Sequence, residues 1–114
     1  MHELSIAMEI LDIVEKEAVK HGASAVWEVN LRVGDLSGVE TGSLIFSFDA
    51  VKGEKTLTRE AVLAIDRVPV KIRCNPCNEV STGNDHRVIC PRCRGFDTRL
   101  LQGEELEIAG IEVD

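Results

Sequence analysis

The four cysteines of this chain have a spacing that suits metal coordination. They form two C-x2-C pairs, Cys74 with Cys77 and Cys90 with Cys93, separated by twelve residues. A C-x2-C turn can direct two thiolates at one ion, and two facing turns complete the closed tetrahedral site that structural zinc prefers. Each pair contains a proline, which suits a tight turn. The spacing therefore predicts a structural zinc site, although the separation falls just short of the usual range.

Other uses of four cysteines are two disulfides, two redox-active C-x-x-C motifs or an iron–sulfur cluster. Disulfides would imply export, but the chain start lacks the layout of a signal peptide. A redox motif needs its own strand–helix context, whereas both pairs lie in polar segments. Four thiolates can also hold a cluster, so iron–sulfur ligation stays open beside zinc. A zinc ion closed off by four cysteines is inert, so it explains a fold and not yet a function.

The length, composition and net charge of the chain limit the class of protein. At 114 residues there is room for one ordinary domain, or for one small domain with a metal-stapled module. Hydrophobic residues make up 44% and aromatic residues only 4%, so we expect an aliphatic core. The net charge of -7 argues against nucleic acid, since neutralising phosphates takes clustered Lys and Arg. Because no apolar run approaches the ~18 residues of a membrane span, we expect a cytoplasmic protein without a membrane partner.

The first three residues could hold a second metal ion. The amine of Met1, the backbone amide of His2 and the His2 imidazole can form adjacent chelate rings, and three nitrogens in a plane suit square-planar Ni(II) or Cu(II). Glu3 can offer an oxygen. A histidine at position two is more often a solvated terminal residue, and copper would bind at least as tightly as nickel. The residues alone therefore allow a Ni(II) or Cu(II) site at the chain start but do not favour it over a solvated histidine.

Apolar periodicity predicts two helices and two strands before residue 69. The first helix covers residues 3–21 and ends at Gly22. Its apolar face comprises Leu4, Ala7, Met8, Leu11, Val14 and Ala18, widened by Ile6, Ile10 and Ile13. Alternation over 25–33 predicts a strand with Trp27, Val29, Leu31 and Val33 on its inner face.

A second helix follows a turn-rich loop. Thr41 is its expected N-cap, and Leu44, Ile45, Phe48 and Val51 are expected to face inward, with Gly53 ending it. A second strand at about 60–68 is apolar on both sides, which predicts a central position in the sheet.

From Val70 to about Leu100 the chain is polar and carries all the cysteines. This stretch has too little to bury to fold without its metal. Short strands are predicted at Val70–Arg73 and Arg87–Ile89. A last strand at Glu104–Val113 needs a partner outside this module, so we expect it to return to the first sheet, with a bulge or bend at Ala109–Gly110.

These elements predict an α+β fold. We expect a small two-layer α/β domain, two helices on a three-stranded sheet, made of residues 1–69 plus 102–114. The zinc-ribbon module of residues 70–101 is inserted between two of its strands. No activated nucleophile, phosphate loop or acid–base pair stands out, since Ser5, Ser37 and Ser43 lack a histidine nearby in sequence. We therefore do not expect an enzyme.

The whole string of motifs resembles the HypA/HybF family of nickel-incorporation proteins for [NiFe] hydrogenase. The similarity covers essentially the full chain and is carried by MHELS at 1–5, VGDLSGV at 33–39, CPRC at 90–93 and GEELEI at 103–108. The resemblance implies that His2 is the essential nickel ligand and that Glu3 and backbone nitrogens contribute. It also implies that the four cysteines bind zinc, so that Ni(2+) and Zn(2+) are the expected metals. One departure is Arg94-Gly95, where many relatives have glycine directly after the last cysteine.

The resemblance also implies partners. A HypB-like GTPase would cooperate in delivery, and the hydrogenase large subunit would accept the nickel, with urease as another acceptor. The oligomeric state stays open, a homodimer included. His86 could approach the zinc, but an exposed loop histidine is the favoured interpretation, and His21 is interpreted as a solvated end-of-helix residue. The alternative function is a zinc-ribbon interaction module that carries no exchangeable metal.

Overall fold

The computed structural model of the chain describes residues 2–83 and 88–114, and the chain divides into two compact units. The helical unit comprises Met1–Leu31, Val39–Asp66 and Glu107–Asp114. The cysteine unit comprises Arg32–Gly38 and Arg67–Leu106. The domain boundaries expected from the sequence stay a prediction.

The order of elements confirms the predicted α+β class. The helices are α1 (Glu3–Lys20) and α2 (Thr41–Val51), and the strands are β1 (Val26–Gly34), β2 (Val62–Val68), β3 (Val70–Cys74), β4 (Glu79–Gly83), β5 (Thr98–Gln102) and β6 (Leu106–Val113). Two three-stranded sheets have the orders β2-β1-β6 and β4-β3-β5. As predicted, the last strand returns to the first sheet, next to β1.

Helix α1 buries one narrow stripe of its surface, formed by Ala7, Ile10, Leu11, Val14 and Ala18. Burial of each larger aliphatic side chain contributes about 1.5–3 kcal/mol. The helix ends as predicted, because Gly22 takes a φ of 68°, a conformation that costs glycine little. The prediction that Leu4 and Met8 face inward is wrong, since they are 50% and 49% exposed. The helix has more apolar residues than its buried stripe can hold.

Strand β1 lies at the centre of its sheet. At the start of the strand, the buried side chains differ from those that the sequence predicts. Val29, Leu31 and Val33 are buried as expected, but Trp27 is 48% exposed and Val26 is fully buried. The alternation of period two therefore holds only from Val29 onward. Strand β2, predicted to be central, lies at an edge of the sheet.

Helix α2 begins at Thr41, and Glu40 caps it in place of the predicted Thr41. The Glu40 carboxylate accepts hydrogen bonds from the backbone N–H groups of Gly42 and Ser43, at 3.1 and 2.5 Å. A carboxylate also suits the positive end of the helix dipole. Leu44 and Phe48 are fully buried, whereas Ile45 is 38% exposed, so the inward placement of Ile45 was wrong. The helix ends at Val51, before Gly53, and a short 3₁₀ turn continues it.

The sheet of the cysteine unit is antiparallel, with β3 in the centre. β3 confirms the strand predicted at Val70–Arg73. The strand predicted at Arg87–Ile89 is wrong for Val88 and Ile89, which form no strand, while Arg87 lies outside the described residues. The true partners, β4 and β5, were missed because their sequences, EVSTG and TRLLQ, show no alternation of apolar residues.

The loop after β1 belongs to the cysteine unit, where two glycines allow a close backbone approach. The N–H of Leu36 donates to the carbonyl of Gly103 at 2.7 Å. A Cβ on Gly34 would lie 2.1 Å from that carbonyl oxygen, so no side chain fits there. Gly103 itself has a φ of 128°, a region essentially reserved for glycine.

Candidate metal centre

The four cysteine sulfurs lie together at one end of the cysteine unit. All four Sγ atoms are within 4.8 Å of one another. The Cys74–Cys93 and Cys77–Cys90 pairs are 3.7 and 3.9 Å apart. A tetrahedral ion with Zn–S bonds of about 2.3 Å places its sulfurs roughly 3.8 Å apart. The sulfur positions therefore match one tetrahedral zinc ion.

The same positions do not correspond to disulfides. All four cysteines are free thiols, and the sulfur separations are well above the bonded distance of about 2.05 Å. Among the described residues, these cysteines form the one group of three or more His, Cys, Asp or Glu side chains that could hold a metal ion. His86, considered above as a neighbour of the zinc, lies outside the described residues.

Two tight turns, one containing Cys74 and Cys77 and the other Cys90 and Cys93, have the same backbone geometry and direct the sulfurs inward. We call these turns the knuckles. In the first, the N–H of Asn78 donates to the carbonyl of Cys74 at 2.8 Å, and in the second the N–H of Arg94 donates to the carbonyl of Cys90 at 2.8 Å. The residue after each pair takes a positive φ, 55° at Asn78 and 63° at Arg94. Asparagine tolerates this conformation but arginine does so poorly. The departure noticed in the sequence therefore falls on a backbone position that favours glycine.

Further contacts hold the knuckles in place. Asn75 donates from its backbone N–H to the carbonyl of Asp97 at 3.0 Å and from its side chain to the Asp97 carboxylate at 2.8 Å. A Cβ on Gly95 would lie 3.3 Å from the Cys93 sulfur. Sequence reasoning missed the contact between Asn75 and Asp97, because the two residues are distant in the chain.

The electrostatics of the cluster also suit a divalent cation. Backbone N–H groups, that of Cys93 first and that of Arg92 after it, lower the pKa of Cys90 to about 7 despite burial. The neighbouring sulfurs, Cys93 first, raise the pKa of Cys77 to about 12. Hydrogen bonds within the cluster thus favour the ionised form of one thiol and the neutral form of another. A bound cation would stabilise the thiolate form of all four cysteines.

At the chain start, the structure places His2 and Glu3 in different environments. His2 is exposed, and its carbonyl accepts the N–H of Ile6 at 3.1 Å. Glu3 is half-buried, and its carboxylate accepts the N–H of Glu40 at 3.2 Å. Met1 lies outside the described residues. The His2 imidazole is therefore accessible to an ion, while the Glu3 carboxylate ties the first turn of α1 to the start of α2.

Glu40 is the residue of this region that sequence reasoning missed. Its side chain caps α2, and its backbone N–H holds Glu3. The signal was its position directly before the helix, but the preference of N-caps for Ser, Thr, Asp and Asn pointed to Thr41 instead.

The fold and the cysteine cluster define a class, a small α+β protein that carries a zinc-ribbon type of unit. None of the helices in residues 2–83 and 88–114 is long and apolar enough to cross a membrane. The model of one protein family, described as "Hydrogenase/urease nickel incorporation, metallochaperone, hypA", matches residues 1–113. The chain belongs to this HypA family.

Individual relatives agree. Hydrogenase maturation factor HypA of Roseiflexus sp. is 40% identical, covering 100% of this chain and 93% of that protein. HypA of Geotalea daltonii is 41% identical, covering 99% of each. The solution structure of the Ni metallochaperone HypA from Helicobacter pylori has a TM-score of 0.69 at 24% identity, over 99% of this chain and 97% of that one. A second HypA solution structure has a TM-score of 0.72, so both share the fold.

Proposed function

We propose that this chain is a nickel metallochaperone that takes up Ni(2+) at its amino terminus and delivers it for hydrogenase maturation. The observation that supports this most is the HypA family match over residues 1–113, together with an exposed His2 at the head of α1. Capture and release of an ion need no bond making, so the proposed role is not catalytic.

In this proposal Cys74, Cys77, Cys90 and Cys93 hold a permanent zinc ion. Their sulfurs have the separation that a tetrahedral ion requires, as described above. When bound, the ion would supply charge neutralisation and a covalent cross-link between the two knuckles, with no open position for a reaction. The residues of the knuckles orient the thiolates through their backbone N–H groups.

Nickel is the cargo, and His2 is its proposed side-chain ligand. An imidazole nitrogen is a suitable ligand for a borderline ion such as Ni(II). Glu3 lies beside it, but the hydrogen bond from Glu40 engages its carboxylate at 3.2 Å. We therefore assign Glu3 first to positioning the start of α1, and to nickel only if that hydrogen bond is exchanged for the ion.

The proposal includes the partners implied by the family. A HypB-like GTPase would assist delivery and the hydrogenase large subunit would receive the ion in the cytoplasm, while urease is a second candidate acceptor. A ligand from the acceptor would replace one of the nitrogens during transfer. Weak holding by few side chains favours this exchange.

The decisive experiment compares His2→Ala with His21→Ala. His21 is an exposed histidine of the same unit, and it contacts Glu17 at 3.2 Å. Isothermal titration with Ni(2+) should show that His2→Ala loses the nickel site while His21→Ala keeps it. Both variants should retain about one zinc per chain, measured by elemental analysis.

Equal nickel binding by wild type and His2→Ala would contradict the proposal. If neither protein then bound nickel tightly, the chain would instead be a zinc-ribbon interaction module without exchangeable metal. Nickel found among sulfur ligands by X-ray absorption would also contradict it, because the proposed site contains only nitrogen and oxygen.

A further inference from the structure

The sheet of the cysteine unit has one covered face and one open face. Val70, Ile72 and Cys74 on the central strand are at most 1% exposed. Successive side chains of a strand point to opposite faces. Lys71 and Arg73 therefore lie on the other face, and both are exposed.

This open face gathers positive charge. Arg73 is directly opposite Arg99 of β5, and Lys71 is directly opposite Thr82 of β4. Like charges directly opposite each other destabilise a sheet. The fold thus places two guanidinium groups together at a cost, with an ammonium group two residues along the same strand.

The described part of the chain supplies no carboxylate that neutralises the charges on this face. Arg73 donates to the neutral Asn78 side chain, and within the described residues no carboxylate pairs with Lys71, Arg73 or Arg99. Other arginines of the same unit do have acidic partners: Arg92 pairs with Glu79, and Arg67 pairs with Asp35.

Exposed apolar side chains border the charges. Val80 lies directly opposite Arg73 on the other side and is 53% exposed. Leu101 is the extra residue of β5 where its register against β3 shifts, next to Gln102, which is directly opposite Lys71, and it is 47% exposed. Arginine beside apolar side chains that can be desolvated is typical of protein interfaces. We call Lys71, Arg73, Val80, Arg99 and Leu101 the basic face.

We propose that the basic face is a docking surface for an acidic segment of a partner protein, with carboxylates on the three cations and apolar side chains over Val80 and Leu101. Guanidinium groups bind carboxylates in a bidentate manner. A protein partner is favoured over nucleic acid, because the described residues of the face supply three cations and no aromatic side chain on which a base could stack. The proposal does not depend on nickel binding.

The experiment uses the zinc-loaded full chain and a fluorescein-labelled peptide of alternating Glu and Leu. Fluorescence anisotropy should show binding that weakens as NaCl rises from about 0.05 to about 0.5 M. The double variant Arg73→Gln with Arg99→Gln should bind roughly tenfold more weakly. Val80→Thr should weaken binding by a smaller factor and leave its salt dependence intact.

The matched control is Lys16→Gln with Lys20→Gln. It changes the net charge by the same amount on exposed positions of α1 and should leave peptide binding unchanged. Zinc content shows that each variant is folded. Any one of three results would overturn the proposal: absence of peptide binding, equal weakening by both double variants, or tighter binding of a duplex DNA than of the peptide. Salt-sensitive dimerisation that the arginine variant abolishes would do the same, since the occupant would then be a second copy.

Discussion

The two units of this protein are stabilised in different ways. Among its described residues, the helical unit buries twelve apolar side chains, including Leu11, Leu31 and Phe48. In the cysteine unit, the described buried side chains are four aliphatic residues and two of the cysteines: Val33, Val68, Val70, Ile72, Cys74 and Cys90. A core that small cannot offset the chain entropy lost on folding. The comparison indicates that apolar burial maintains one unit and metal ligation the other.

Their charges differ as well. The helical unit carries fourteen Asp and Glu against five Lys and Arg, while the cysteine unit carries six against eight. The protein is acidic overall, with a net charge of -7, although its cysteine unit is basic. Whole-chain charge is a poor guide to the partner of one surface, and the two units should respond differently to salt, chelators and pH.

The largest expected effect is selective loss of the cysteine unit on removal of its metal. Structural zinc contributes about 10–16 kcal/mol in small metal-dependent folds, which is as large as the total stability of a typical domain. Chelation, or Cys74→Ser, should expose the amides of β3, β4 and β5 to hydrogen exchange. Helical circular dichroism and the fluorescence of Trp27 should persist, because both report on the helical unit.

Phe48→Ala should destabilise the helical unit and leave the cysteine unit in place, the opposite of zinc removal. Truncating this fully buried ring should cost about 3–5 kcal/mol and lower the thermal stability of the helices without releasing zinc. If chelation unfolded both units together, the two units would fold as one. The conclusion that they are stabilised in different ways would then be wrong.

A smaller effect concerns the pH dependence of the helical unit. Hydrogen bonds from Ser24 and Ala25, first that of the Ser24 hydroxyl at 2.5 Å, lower the pKa of Asp114 below 3.8. A lowered pKa stabilises the fold above the unfolded value, and that contribution disappears as pH falls through the folded value. Asp114→Asn should lower the melting temperature by a few degrees at pH 6.

This difference between wild type and Asp114→Asn should shrink as the pH falls through the lowered pKa of Asp114, because protonation removes the charge that the hydrogen bonds stabilise. Helical circular dichroism between pH 3 and pH 7 measures it. Asp66→Asn, an exposed change in the same unit, serves as control and should leave the curve unchanged. A constant difference at all pH values would show that the carboxylate charge is irrelevant.

The smallest expected effect is a gain. Arg94 holds a φ of 63° after the second knuckle, and glycine avoids the steric cost of this region. Arg94→Gly should stabilise the zinc-loaded cysteine unit by about 0.5–1 kcal/mol, measured by hydrogen exchange in β5. Asn78→Gly, at the matching position of the first knuckle, should give a smaller gain, and an equal gain at both would exclude side-chain strain as the cause.

Sequence alone predicted the features that depend on local chemistry. Cysteine spacing brought four sulfurs together because each knuckle is four residues long, and apolar periodicity located α1, β1 and α2. The edge position of β2 was missed because Val62 is apolar yet 56% exposed, so its composition imitates a central strand. β4 and β5 were missed because hydrogen bonding to β3, and not apolar burial, keeps them extended.

The environment of the chain start was beyond prediction for a similar reason. The carboxylate of Glu3 accepts a hydrogen bond from the N–H of Glu40, thirty-seven residues away in sequence. The first residues of the chain carry no pattern that predicts this partner. The same holds for Asn75 and Asp97 beside the knuckles. Long-range contacts of polar side chains depend on the finished fold, whereas ligand spacing and periodicity do not.

The position of β6 has a consequence for synthesis on the ribosome. This strand lies against β1, yet the larger segment of the cysteine unit, Arg67–Leu106, is translated before it is complete. The first sheet cannot be completed until both knuckles have left the exit tunnel. Zinc can therefore be acquired by the nascent chain before the edge beside β1 is closed.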